Sequence, residues 1–295
     1  MFKFQNIQHV FRLGGVSYGG QPGERRTVLV GSLFYPGHSI VEDRLKGGLK
    51  KESLRRVLDD LHEAMVETGS PASLMIYAET KEAMASYLEK VAGLSDLPLF
   101  IDSPSPDVRI SGAVTAGELG LGDRIVYNSV NAGTSPEELA KLHDSKIKSA
   151  VLLAFNPKDL GVKGKIYILD DGGGIFKEGL IEMAKRHGIE KPLIDLAVMS
   201  VEQMAGSALK ALIVAKAKWG YPSGCALHNA VESWPPAIRA REKDRQLFRY
   251  VDTSSAAIPI MAGADFVMYG PIEYARRIFL TAAFADELVR QSVFE

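Results

Sequence analysis

Short apolar runs in this chain repeatedly end in a carboxylate or a carboxamide. Asp102 closes LPLFID with Ser103 behind it, Asn128 follows RIVY, Asn156 follows AVLLAF, Asp195 follows PLI and Asn229 follows CALH. A carboxylate accepts two hydrogen bonds side by side, so it suits a ligand edge with adjacent N–H donors; a carboxamide supplies donors and an acceptor. A 2-amino-4-oxopyrimidine ring, the head of guanine and of pterins, has such an edge. Asp102, Asn128 and Asp195 would then be recognition groups, not proton shuttles. Parallel barrels carry their chemistry at the C-terminal ends of their strands, so repeated endings of this kind predict one shared face.

The elements that must position these residues follow from periodicity. Pro98, Pro104 and Pro106 fence the run around Asp102 and favour a strand over a helix. Residues 3–20 alternate loosely around Gly14-Gly15 and Gly19-Gly20, which predicts an antiparallel hairpin, an extension over 1–24 lying as a lid on the bottom of a barrel. TVLVGSLF (27–34) is the first core strand, and the polar loop after it belongs to a working face. Leu54, Leu58, Leu61 and Met65 at helical spacing predict an amphipathic outer helix over 51–67. Strands over 73–78, 98–102, 124–127 and 148–155 then alternate with helices over 80–93, 106–119 and 135–144. Residues 156–174 form an inserted loop, after which come helix 176–188, strand 192–195, helix 200–218 and strand 222–227. Residues 233–262 mix helix with a break at Pro235-Pro236, before a last strand (264–269) and helix (272–292). This pattern predicts an α/β chain, one (β/α)8 TIM barrel over residues 1–295 and not a doubly wound sheet.

Composition narrows the partners. The 295 residues are 46% hydrophobic and 24% charged, enough to bury a substantial core. A net charge of -1 with no clustered basic run argues against nucleic acid. The single cysteine, Cys225, excludes an internal disulfide and a Cys-rich zinc site, and suits a reducing cytosol. No apolar run is long enough for membrane insertion, and MFKFQNIQHVFRLGG lacks the apolar core of a secretory signal, so a cytoplasmic protein is expected.

IDSPSPDVR, YNSVNAGTS, LLAFNPKD, PLIDLAV and CALHNAVESW, with VLVGSLFYPGHSIVED and the terminal GADFVMYGPIE, resemble signature segments of the pterin-binding methyltransferase barrels. Over nearly the whole chain the resemblance is to the H-subunit family of the tetrahydromethanopterin S-methyltransferases and its bacterial relatives, which move methyl between a corrinoid protein and tetrahydrofolate. Methyltetrahydrofolate:corrinoid methyltransferases and dihydropteroate synthases are similar more distantly, through the DS, NS and ID segments. The resemblance implies that Asp102, Asn128 and Asp195 hold the pterin ring and that Asn229, the catalytic residue, lies beside N5 with Ser103 in support; Asn156, as another strand-tip carboxamide, is counted with the substrate-binding residues Asp102, Ser103, Asn128 and Asp195. Glu232 stands where the acetogen enzymes carry Gln. His228-Asn229 stands where dihydropteroate synthases carry Lys, which counts against condensation of a pterin with p-aminobenzoate.

The implied reaction passes methyl between a methylcob(III)alamin-bearing partner and N5 of tetrahydrofolate, giving methyltetrahydrofolate and Co(I) corrinoid, or the reverse. The alternatives are a tetrahydromethanopterin-specific subunit and a non-catalytic pterin-binding accessory subunit. Asn229 can hydrogen-bond N5 as its charge changes and orient a proton-carrying water. Corrinoid-carrying domains present a D-x-H-x-x-G loop, and the nearest match, at Asp60-Leu61-His62, lacks the glycine and lies in a predicted helix. The corrinoid should therefore arrive on a partner protein, past rim loops 34–43 and 156–174, which would open for it. Relatives of this kind are commonly dimeric, so a homodimer is expected.

Plainer roles compete for several of these residues. Asp102 also suits a helix N-cap, and Asn128 and Asn156 suit turns before Ser129 and Pro157. His38 and His228 are too few for a zinc site without further ligands, so no metal is expected. Asp170-Asp171-Gly172-Gly173-Gly174 lacks both P-loop and EF-hand spacing and reads as a mobile turn. Cys225, Trp219 and Trp234 read as packing, with Trp234 close to the rim.

Overall fold

A computed structural model describes residues 2–294. The chain begins with β1 (Val10–Leu13) and β2 (Val16–Gly19), paired as an antiparallel hairpin. β3 (Val28–Leu33) opens the barrel, and a small antiparallel ribbon, β4 (Val41–Asp43) with β5 (Gly48–Leu49), follows it. The remaining barrel strands are β6 (Ala72–Tyr77), β7 (Leu99–Asp102), β8 (Ile125–Val130), β9 (Ser149–Leu153), β10 (Lys191–Asp195), β11 (Ser223–Cys225) and β12 (Phe266–Pro271). All eight pair in parallel, in chain order, and β12 closes the barrel onto β3. Helices α1 (Lys51–Thr68), α2 (Lys81–Ala92), α3 (Pro106–Glu118), α4 (Pro136–Asp144), α5 (Val162–Asp170), α6 (Leu180–Arg186) and α7 (Ser207–Trp219) lie between strands. So do α8 (His228–Ser233), α9 (Pro235–Lys243) and α10 (Arg245–Met261), and α11 (Ala275–Phe294) completes the ring.

Strand pleat decides which residues see the barrel axis. Val28, Val30, Met75, Phe100, Val126, Val151, Leu193 and Phe266 share one buried cluster inside the barrel, while Leu29, Leu74, Leu99, Ile101, Ile125 and Ile194 pack outward against the helices. Side chains two apart on a strand share a face. Asp102 therefore stands above Phe100, Asn128 above Val126, and Asp195 above Leu193, all on the inner face at the C-terminal rim.

The opposite end is closed by the hairpin. Tyr18 is fully buried among Phe100 and Phe266, with ring centroids 6.5 and 6.3 Å away, and its hydroxyl lies 2.5 Å from Ser73 Oγ. Leu13 joins the same cluster. The hairpin is thus the floor of the barrel, as its sequence predicts. Beside it Lys216 Nζ, also buried, meets both oxygens of Asp265 at 2.6 Å and the Gly20 carbonyl at 3.1 Å.

Several expectations need correction. Residues 156–174 are not one loop: α5 occupies their centre, burying Lys165, Ile166, Ile168 and Leu169. Its two flanking and internal glycines and its β-branched residues conceal a helix that tertiary burial stabilises. The helix expected over 200–218 starts at Ser207, after a single 3-10 turn at Val201–Gln203. The ribbon β4–β5 lies in and beyond the polar loop after β3, where no strand was expected. Strand β8 runs past Asn128 to Val130, with a register shift against β9 and a cis Asn128–Ser129 peptide. None of the described helices is long and apolar enough to cross a membrane.

Candidate active site

Asp102 and Asn128 are direct neighbours in register across β7 and β8, and Asn128 Nδ2 donates to Asp102 Oδ1 at 3.2 Å. That bond fixes the carboxamide so that its oxygen remains an acceptor, and it leaves Asp102 Oδ2 with no donor among the described residues. Burial pushes the Asp102 carboxyl up to about 6, with the positive charge of Arg109 only partly opposing it. The N-cap of α3 is Ser105, three residues on, so Asp102 is not capping that helix.

Arg109 reaches Asp102 only through its charge; its hydrogen bonds go to the loop, to β8 and to α4. Its Nη1 donates to the Ser103 carbonyl at 2.6 Å, its Nη2 to Glu138 Oε1 at 2.6 Å, and its Nε to the Tyr127 hydroxyl at 3.3 Å. Tyr127 donates to the same Glu138 oxygen. A buried guanidinium and carboxylate that satisfy each other in this way are costly to separate. Ser103 is buried, and its Oγ accepts from Ser105 N at 3.2 Å, so both its polar groups shape the turn directly behind Asp102.

Asp195 closes β10 in a similar environment. Its Oδ1 accepts from Ala197 N at 3.0 Å, and burial pushes its carboxyl up to about 6, opposed by that N–H and by the charge of Lys165. Lys165 is a further candidate residue, beside Asp195, that sequence reasoning missed. It reaches from α5, almost fully buried, and its Nζ donates to the Ala197 carbonyl at 2.6 Å; burial pulls its pKa down. A single lysine inside KIYIL, on the buried side of a helical pattern, was the available signal.

The other expected residues sit differently. Asn156 is buried, but its Nδ2 donates to the Gly173 carbonyl at 2.9 Å and its Oδ1 accepts from Lys158 N at 2.9 Å. It clamps the loop before α5 onto the turn after it. Gly173 adopts φ +55°, and a Cβ there would lie 2.5 Å from that carboxamide nitrogen, so glycine is required. Asn229 is exposed on α8, just past the tip of β11, and its carboxamide bonds to no described residue. Burial pulls the pKa of its neighbour His228 down to about 4, so the imidazole is neutral at pH 7; it packs on Gly270, where a Cβ would come within 2.7 Å of Cε1. His38 accepts from Phe34 N at 2.9 Å through Nδ1, and its Nε2 lies 3.1 Å from Glu273 Oε1. Among the described residues no three His, Cys, Asp or Glu side chains gather as a metal site. Trp219 packs against the outer core, and Trp234 against Val231, Ala237 and Phe248 near the rim.

A parallel barrel with two largely buried carboxylates and a carboxamide on its inner strand tips is an enzyme scaffold of the (β/α)8 class. The family model described as "Tetrahydromethanopterin S-methyltransferase MtrH subunit" matches residues 6–294, and the chain belongs to that family of methyltransferase subunits. It is 42% identical over 292 residues to the tetrahydromethanopterin S-methyltransferase H subunit of Methanothermobacter marburgensis, covering 99% of this chain and 94% of the relative. It is 40% identical over 293 residues to the H subunit of the putative methyltransferase mtx of Methanosarcina mazei, with the same coverage. Among solved structures, Yersinia pestis dihydropteroate synthase superposes with a TM-score of 0.63 at 13% identity, over 95% of this chain and 98% of that one. The Xanthomonas albilineans enzyme with 4-aminobenzoic acid gives 0.59 at 16% identity, over 96% and 98%. At such identities these two show the shared fold.

Proposed function

We propose that this chain transfers a methyl group between N5 of a tetrahydropterin and the cobalt of a corrinoid carried by a partner protein. The observation that carries the reading is the pair Asp102 and Asp195: both are largely withdrawn from water and face the barrel axis, and among the described residues neither bonds a cation and each keeps an oxygen with no donor. Buried acceptors of this kind call for donors, and the adjacent N–H groups of a pterin edge supply them. Asn128, oriented by Asp102, offers its oxygen to the same ring, and Ser103 and Lys165 hold the turns behind the two carboxylates. Asn156 shapes the mouth through Gly173.

Asn229, exposed just past the tip of β11, bonds N5 as that nitrogen gains or loses charge and orients a water that carries the proton. The corrinoid supplies cobalt chemistry; the chain supplies alignment, which is worth about 7–11 kcal/mol when reacting atoms are held in line. The relatives' names carry tetrahydromethanopterin, which supports that pterin over the tetrahydrofolate expected from the bacterial likeness. Those relatives are subunits, which fits a corrinoid protein as partner; a homodimer, a single domain over 1–295 and a cytoplasmic site, in keeping with the one buried cysteine, complete the reading.

The test is anaerobic absorbance of methylcobalamin, or of a methylated corrinoid protein, incubated with the chain and either pterin. A shift to the reduced corrinoid that requires both chain and pterin, faster with tetrahydromethanopterin, is expected. No pterin-dependent shift with any methylcorrinoid contradicts methyl transfer.

A further inference from the structure

Beside the strand tips lies a second feature that the pterin head does not use. Arg241, Arg245, Arg249 and Arg277 line one cleft of about 530 Å³ together with Tyr35, Phe248, Tyr274 and Glu273. A cleft of that size falls within the range of roughly 300–1,000 Å³ usual for small-molecule sites. Its residues come from the loop after β3, the α9–α10 junction and the segment after β12, so it opens at the same end of the barrel as Asp102 and Asp195. The charges within it are unevenly committed. Arg277 Nη2 pairs with Asp252 Oδ2 at 2.5 Å, and Arg241 Nη1 with Glu232 Oε2 at 2.8 Å. Glu273, the lining carboxylate, already accepts the Tyr35 hydroxyl at 2.9 Å and lies 3.1 Å from His38 Nε2. Arg245 and Arg249 have no carboxylate partner among the described residues; Arg249 makes one 3.4 Å contact, to Gln246 Oε1. Arg245 and Arg249 are thus the uncommitted guanidinium groups of the cleft, and the two paired arginines lie over its rings. Arg241 covers the Phe248 ring at 5.0 Å and Arg277 the Tyr274 ring at 4.0 Å.

We infer that this cleft binds the anionic tail of the pterin substrate, an aryl group extended by carboxylate or phosphate. The inference rests on the pterin reading of the strand tips. Around the barrel, the ring-holding residues lie on β7, β8 and β10 and Asn229 follows β11; next come β12 and β3, which carry the cleft. In a tetrahydropterin the tail leaves from C6, next to N5. Asn229 and Glu232 are three residues apart on α8 and so neighbour each other on its surface. Glu232 in turn holds Arg241. A tail that starts beside Asn229 is therefore directed to the cleft, where the guanidinium planes of Arg241 and Arg277, backed by Phe248 and Tyr274, offer a surface for the aryl group and Arg245 and Arg249 take the anion. A concave, aromatic-walled site favours a small molecule over the flat acidic surface of a partner.

Anaerobic calorimetry on the full chain separates the possibilities. The ligands are 6-methyltetrahydropterin, which is a head without a tail, tetrahydrofolate and tetrahydromethanopterin. In the Arg245→Ala/Arg249→Ala variant the advantage of a tailed pterin over the bare head falls about tenfold or more, and salt erodes that advantage in the wild type. Unchanged affinity for the bare head shows that the variant is folded, and the tailed pterin that loses more identifies which tail the cleft reads. If both tailed pterins keep their advantage, the inference is overturned. It is also overturned if binding is intact while methyl transfer from a corrinoid protein falls, which assigns the arginines to protein docking. Failure of the bare head to bind the wild type, or indifference of its binding to Asp102→Asn, strikes the pterin reading itself and is seen separately.

Discussion

Asp102 and Asp195 are poised by the same imbalance: each loses water on folding and gains too few donors to replace it. Their folded-state values of about 6 lie above the ordinary 3.8, so the stability linked to them is full below about pH 4 and is lost as pH rises through 6. Asp195→Asn removes the buried charge and can keep the bond to Ala197 N. It should raise stability at pH 7.5 by about 1–3 kcal/mol in urea unfolding, with the gain vanishing at pH 4. Binding runs the other way. A protonated carboxyl cannot accept two adjacent N–H groups, so pterin affinity should be high above pH 7 and decline as pH falls through 6; a flat calorimetric profile from pH 5 to 8 contradicts the assignment. The placement of Asp102, Asn128 and Asp195 at the inner strand tips was legible in the sequence because strand pleat and tip position are local properties. Lys165 and the Arg109–Glu138 pair were not, since Arg109 meets a carboxylate 29 residues away and such pairings leave no local pattern.

At the scale of elements, α3 and α4 are bound to the loop behind Asp102 by Arg109, Glu138 and Tyr127. Arg109→Met leaves Glu138 buried without its cation and should cost about 3–5 kcal/mol; adding Glu138→Gln should recover part of that loss. Because Ser103 loses its restraint in both variants, the KM for pterin should rise in both, and a restored KM in the double variant argues against the restraint. The outer helices were legible wherever apolar spacing was clean, as in α1 with Leu54, Leu58 and Leu61. Helix α5 was hidden by glycines and β-branched residues, and the stretch 233–262 resolved into α9 and α10, set off from α8, because Trp234-Pro235 and Asp244 begin new helices. The arginine cleft escaped notice for a related reason. Its arginines are dispersed from 241 to 277 and gather when α9, α10 and α11 pack.

Over the whole molecule, the barrel separates a stabilising floor from a reactive mouth. Tyr18 fills the floor, and Tyr18→Ala should cost about 3–5 kcal/mol while leaving pterin affinity unchanged, as chemical unfolding and calorimetry on one preparation would show. The regular strand-helix alternation made the closed barrel legible, and repeated polar strand endings made the reactive end legible. The occupant proposed for that end rests on motif likeness and on the unfilled acceptors of the strand-tip carboxylates.

The most direct measurement is the affinity of a tetrahydropterin for the wild type, Asp102→Asn and Asp195→Asn, taken anaerobically by calorimetry at pH 7.5. Each substitution replaces a charged acceptor that meets two ring donors, so affinity should fall about tenfold or more in each variant, with the folded state intact. Undiminished binding in both would contradict the claim that these two carboxylates hold the ring.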